Sequence, residues 1–204
     1  YIASASPSWS TLLDMAKKIN AFDYKTLTEI KTGIGKSDHQ QFLQLIGALS
    51  NFKCVHCGKE FGPVDKFSPD RVLALDSLSG VNTMAMDMMI GAKPTANQGE
   101  WGVAMKAEEN LIKKLCSDLK CFFVLTAHIA REMDEVAGSV KLMVGALGSK
   151  LAPKLPKDFS DVIMAYREND KFFWSTMANN ADLKSRNLPL SNKLPPSFGP
   201  IVKV

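Results

Sequence analysis

The chain has 204 residues, 46% of them hydrophobic and 23% charged, with a net charge of +4 and a pI near 8.8. That is enough chain to bury one sizeable core, and the mild basicity permits an anionic partner without requiring one. No apolar run reaches the roughly eighteen residues of a membrane span, and no signal peptide opens the chain. Four cysteines in a chain this long do not make a disulfide framework, so they are read as reduced and the protein as cytoplasmic.

In chain order, Tyr1-Ile2-Ala3-Ser4 reads as the tail of a strand. Ser6-Pro7 opens a helix whose apolar face is Trp9, Leu12, Leu13, Ala16 and Ile19. Residues 25–30 form a possible strand. Ser37-Asp38-His39-Gln40 is a capping box ahead of a helix with Phe42, Leu45, Ile46 and Leu49 inward. A polar stretch, Asn51 to Asp70, carries Cys54 and Cys57. The Met84, Met86, Met88, Met89 run reads as core or subunit-contact filler. Gly91–Gly102 is expected to be a loop. A helix from Val103 to Leu119 places Ala104, Ala107, Leu111, Ile112, Leu115 and Leu119 inward, with Glu109 and Lys113 as an exposed pair. Cys121–His128 reads as a second buried strand, parallel to the strand ahead of Asp76. Residues 131–150 are glycine-rich and charged, without a clear period. Two further strands, 161–167 and 172–177, flank a hairpin turn at Glu168-Asn169-Asp170. The tail carries Pro189, Pro195, Pro196 and Pro200, and no internal repeat is found.

The stretch that organises the chain is Arg71-Val72-Leu73-Ala74-Leu75-Asp76-Ser77-Leu78-Ser79-Gly80. An apolar run ending in turn chemistry predicts a buried strand of a parallel sheet with helices on both faces. Ligands of such sheets lie beyond the carboxyl ends of the strands, where Asp76 and Ser77 stand. A Walker B strand has this form, its Asp holding the Mg²⁺ of a nucleoside triphosphate; a plain helix N-cap has it too. His128 ends the second strand at the same sheet edge, as a γ-phosphate-sensing residue would, or as a simple capping histidine. Lys184 and Arg186, two apart on a strand-like segment, share a face. They suit a phosphate clamp, reaching a neighbouring subunit's nucleotide as an arginine finger does, or a solvated edge strand.

These residues carry a resemblance to the RecA/DnaB-type P-loop ATPases, most closely the phage-encoded type grouped with single-strand-annealing recombination proteins. It spans nearly the whole chain, through Leu73–Gly80, Trp101–Met105, Phe123–His128, Gly145–Pro153, Trp174–Thr176 and Asp182–Pro189. The resemblance implies an α/β RecA-like P-loop NTPase core, a mainly parallel sheet flanked by helices, with a C-terminal β-hairpin region. It implies an ATPase acting in phage DNA recombination, annealing or replication in the host cytoplasm, with ATP and Mg²⁺ as ligands. It also implies a ring or filament of identical subunits and single-stranded DNA as partner. Asp76 would hold Mg²⁺ through water beside Ser77, and His128 would sense the γ-phosphate. Lys184 and Arg186 would act in trans, and the 131–150 segment would turn toward DNA, with Arg131, Lys141 and Lys150 as its contacts.

The chain departs from that pattern twice. No Gly-x-x-x-x-Gly-Lys-[Ser/Thr] occurs, and Gly33-Ile34-Gly35-Lys36-Ser37 lacks the first glycine, with Ile30 in its place. With Tyr1 in place of Met and no closing element at Val204, residues 1–204 are read as a single domain. That domain is expected to be truncated ahead of its phosphate loop and at the C-terminus, and to be inactive by itself. Ser4-Ala5-Ser6-Pro7 also lacks the acid expected to activate water. The alternative is a non-hydrolysing nucleic-acid-binding or assembly module with a vestigial nucleotide site. Cys54-Val55-His56-Cys57 resembles half of a zinc ribbon, and no second Cys-x-x-Cys completes it.

Overall fold

The computed structural model describes residues 40–54, 57–91, 93–134 and 138–201. The readings at Tyr1–Ser4, the helix at Pro7, residues 25–30, Gly33–Ser37 and the capping residues Ser37 to His39 lie outside these.

Helix α1 (Gln41–Ser50) opens the described chain, with Phe42 and Leu45 buried on its inner stripe. Ile46, expected on the same stripe, stays partly exposed. The stretch from Asn51 to Asp70 is no mere polar connection. Strands β1 (Phe52–Lys53) and β2 (Glu60–Gly62) pair antiparallel, and a 3₁₀ turn follows at Val64–Lys66. Phe52 meets Phe61 and Phe67 edge-on, and the Arg71 guanidinium lies over the Phe61 and Phe67 rings.

Strand β3 (Val72–Leu75) leads into helix α2 (Leu78–Ile90); helix α3 (Gln98–Asp118) returns to strand β4 (Phe122–Leu125). Helix α3 starts five residues before the expected Val103. Asn97 accepts a hydrogen bond from the Glu100 amide while Glu100 reaches back to the Asn97 amide, a reciprocal cap that carries Gly99 and Gly102 into the helix. Glu109 and Lys113 pair at 2.6 Å, as expected, although the Glu109 side chain is largely covered rather than exposed. Strands β3 and β4 are parallel, Leu73 opposite Phe123 and Leu75 opposite Leu125. Leu73, Leu75, Phe123 and Leu125 join a core with Leu78, Val81, Ala85, Ala104 and Ile112 of the helices. Each fully buried Leu, Ile or Val contributes roughly 1.5–3 kcal/mol. Met84 and Met86 are buried in the same core, in the filler role their sequence suggests.

The opposite face of this strand pair decides the architecture. Val72, Ala74 and Val124 pack there against Ile163, Ala165, Trp174 and Phe198. Ile163 immediately precedes strand β7 (Met164–Glu168), and the others come from β7, from strand β8 (Lys171–Ser175) and from the tail. The two strands form a hairpin whose turn, Asn169-Asp170, has φ of 47° and 62°, as a two-residue hairpin turn requires. Between β4 and β7, strands β5 (Ile129–Asp134) and β6 (Ser139–Val144) form another antiparallel hairpin, in a stretch whose sequence shows no clear period.

The described strands therefore make four two-stranded sheets, one parallel and three antiparallel, beside three α-helices. This overturns the expectation of a RecA-like core with a mainly parallel sheet flanked by helices: the fold is mixed α/β. The apolar run at Val72–Leu75 does report a strand covered on both faces, but helices cover one face and a hairpin with its tail covers the other. The C-terminal hairpin is present as expected. No helix among the described residues is long and apolar enough to cross a membrane.

Candidate functional site at the carboxyl ends of β3 and β4

Because Leu75 and Leu125 are register partners, the residues that follow them emerge side by side. Thr126 donates its hydroxyl to Asp76 Oδ1, and its amide donates to the Leu75 carbonyl at 3.2 Å. The Leu78 amide donates to Thr126 O at 2.9 Å, which ties the start of α2 to the end of β4. Ser77 holds the N-cap position without a side-chain capping bond. Asp76 is thus not the helix cap; it stands ahead of the helix N-terminus, fixed by Thr126, with Ser77 and Ser79 beside it.

His128 lies three residues beyond the end of β4 and is exposed. Its Nδ1 is 2.8 Å from Ser79 Oγ, on the first turn of α2. With the hydroxyl as donor to Nδ1, the ring carries its proton on Nε2; with the hydroxyl as acceptor, on Nδ1. The backbone of His128 is held as firmly. Gly145, just after β6, donates its amide to His128 O at 2.7 Å, while its own carbonyl accepts from Asn82 Nδ2 at 2.8 Å. A Cβ on Gly145 would stand 3.0 Å from His128 O, so this close approach favours glycine. A cavity of about 50 Å³ is lined by His128, Leu142, Met143 and the Ala181–Leu183 segment, among others.

Sequence reasoning assigned no role to Thr126, Ser79, Asn82 or Glu108. Glu108 is 0% exposed, and neither carboxylate oxygen makes a well-formed hydrogen bond. Burial raises its pKa to about 7, and the nearby Leu147 amide only partly opposes this. It therefore sits beneath the loop that begins at Gly145 and braces His128.

The remaining predicted residues are dispersed. Lys184 forms a single bridge with Val162 and turns its Nζ to Lys157 O at 3.2 Å. Arg186 lies in a bend rather than on a strand. Asp161 builds that bend, accepting from Ser185 Oγ and from the amides of Arg186 and Asn187 at 2.8–3.2 Å. Burial opposes Asp161 ionisation, yet these donors hold its pKa below the ordinary value. On the β5–β6 hairpin Arg131 is opposite Leu142 and Lys141 opposite Glu132, so the two cations lie on opposite faces. Lys141 is also paired with Asp182 at 2.9 Å. Lys150 is exposed in the turn after Gly148.

Cys54 is half-buried and Cys57 exposed, on a tight turn closed by Gly58 N to Cys54 O at 2.8 Å. Burial, with Asp158 nearby, pushes the Cys116 thiol up to about 11, and burial raises that of Cys121, which leaves both unreactive. Among the described residues no group of three or more His, Cys, Asp or Glu is placed to hold a metal. The donors at the site are one carboxylate and several hydroxyls. Such a hard, sparse oxygen set fits Mg²⁺, which keeps its waters and takes further ligands from substrate phosphates. Comparison with protein-family profiles, with curated proteins and with solved structures returns no match.

Proposed function

We propose that this protein binds ATP with Mg²⁺ at the carboxyl ends of β3 and β4 and hydrolyses it while acting on single-stranded DNA. The observation that carries the reading is the meeting of Asp76, Thr126, Ser79 and His128 at one end of a parallel strand pair, against a helix N-terminus. Bound Mg²⁺ would supply charge neutralisation at the phosphates. The protein's own contribution is orientation. Thr126 fixes which Asp76 oxygen faces inward, leaving the other for the metal's waters. The α2 N-terminus favours negative charge beside it. Ser79, as donor to Nδ1, sets the His128 ring so that its Nε2–H serves as the donor to a phosphate oxygen. Because the His128 carbonyl is held by Gly145, a displacement of this histidine pulls on the β5–β6 hairpin, which links nucleotide state to the rest of the molecule.

Asp76→Asn removes the charge at nearly constant volume. In the full-length protein it is expected to reduce Mg²⁺-dependent ATP hydrolysis to background with an unchanged circular dichroism spectrum. Turnover within a few-fold of the unsubstituted protein would contradict the assignment.

A further inference from the structure

We propose that Lys150, Lys154, Lys157 and Lys184 form one surface that binds the phosphate backbone of single-stranded nucleic acid. The proposal rests on the functional reading above only in taking nucleic acid as the partner, and no part of it uses Asp76.

The chain from Gly148 to Asp158 winds continuously. The Leu151 amide donates to Gly148 O at 3.3 Å, and the Lys154 and Leu155 amides donate to Leu151 O at 2.9 and 3.3 Å. A 3₁₀ turn, Leu155–Asp158, completes the winding. Leu151, Ala152 and Leu155 are buried, fixing the inner side. Lys150, Lys154 and Lys157 are spaced four and then three residues apart, which stacks them on one side of such a winding, and all three are exposed. Lys184 arrives from a distant part of the chain, its Nζ bonded to Lys157 O. Two segments thus place four ammonium groups on one local surface.

Elsewhere, Lys53, Lys93, Lys106, Lys113, Lys114, Lys141 and Lys193 each sit within 3.4 Å of a carboxylate. Lys150, Lys154, Lys157 and Lys184 have no ion pair among the described residues. Three other described lysines, Lys59, Lys120 and Lys171, also make no ion pair, but they are scattered along the chain, and Lys59 lies over the Phe61 ring. Of the nearby acids, Asp161 is taken up by the Ser185–Asn187 bend and Asp182 by Lys141, while Asp158 makes no ion pair among the described residues and offsets one of the four charges. Unneutralised like charges repel, and a polyanion relieves that repulsion while releasing its counterions.

The shape of the surface selects the kind of anion. Seven residues of winding spread the cations over roughly 10 Å, which suits successive phosphates better than one compact anion. None of the large exposed apolar side chains falls within 148–158 or 181–187, so the apolar wedge by which a lipid surface is usually held is missing there.

The test measures anisotropy of a labelled oligo(dT) with the full-length protein and its Lys154→Gln/Lys157→Gln variant, over about 50 to 300 mM salt. We expect at least a tenfold weaker affinity at the low-salt end. The slope of log K against log salt should fall by about 1.4, or about 0.7 for each phosphate that the variant no longer neutralises. Binding of Mg·ATP should be unchanged. Equal affinity and slope in the two proteins overturn the proposal, as does failure of the unsubstituted protein to bind oligo(dT), or loss confined to ATP binding. Binding to anionic vesicles in place of oligo(dT) overturns it in favour of a membrane. The outcome is separable from that of Asp76→Asn: either variant can behave as expected while the other fails.

Discussion

Glu108 stands four residues after Ala104 and four before Ile112, so α3 carries it into the core with them. That spacing was the signal: a carboxylate on the apolar stripe of a helix, masked by the ion-paired Glu109 beside it. Its folded pKa of about 7 lies above the ordinary carboxylate value, so the folded state holds a proton that the unfolded state releases. Stability is therefore full below the unfolded value and is lost as pH rises toward 7, by about 1.4 kcal/mol per unit at most. Glu108→Gln cannot ionise and should escape this loss. Urea melts at pH 5.5 and pH 8 should show the variant gaining on the unsubstituted protein by roughly 2 kcal/mol between the two conditions. Parallel pH dependences would show that Glu108 is already ionised in the folded protein. Thr126 was hidden differently: its role is a partnership with Asp76, and only strand register reveals that.

The elements differ in how openly they declare themselves. The α3 stripe was readable because Ala104, Leu111, Ile112 and Leu115 all face one core, and the Asn169-Asp170 turn because those residues tolerate positive φ. The β5–β6 hairpin was missed. Its face of Ile129, Arg131 and Met133 is largely exposed, Met133 at 70%, so burial imposed no alternation on the sequence. The short connection after β6 shows what this hairpin is joined to. Gly145→Ala would press a methyl against His128 O at 3.0 Å and strain the 2.7 Å bond that braces the histidine. Overpacking of this kind costs about 1–3 kcal/mol. Denaturant melts should show that loss, accompanied by weaker ATP binding; unchanged stability and binding would show that the brace is not needed.

For the whole molecule, the strand pair β3–β4 is the middle layer, and its alternation reports two covered faces without saying what covers them. A run of four apolar residues satisfies helices and a hairpin equally well, and so the expected parallel sheet gave way to a mixed fold. The order of strand and site was more secure, because the ends of two parallel strands must project together whatever packs on their faces. A nucleotide bound at that edge is the central claim, and its location can be measured directly. Mn²⁺ in place of Mg²⁺, with a non-hydrolysable ATP analogue, broadens amide resonances close to the metal. In the isotopically labelled full-length protein, broadening should centre on Asp76–Gly80 and Thr126–His128 and spare the Arg167–Phe172 turn. Broadening centred on that turn or on the Lys150–Lys157 face, or none at saturating analogue, would contradict a nucleotide site at the ends of β3 and β4.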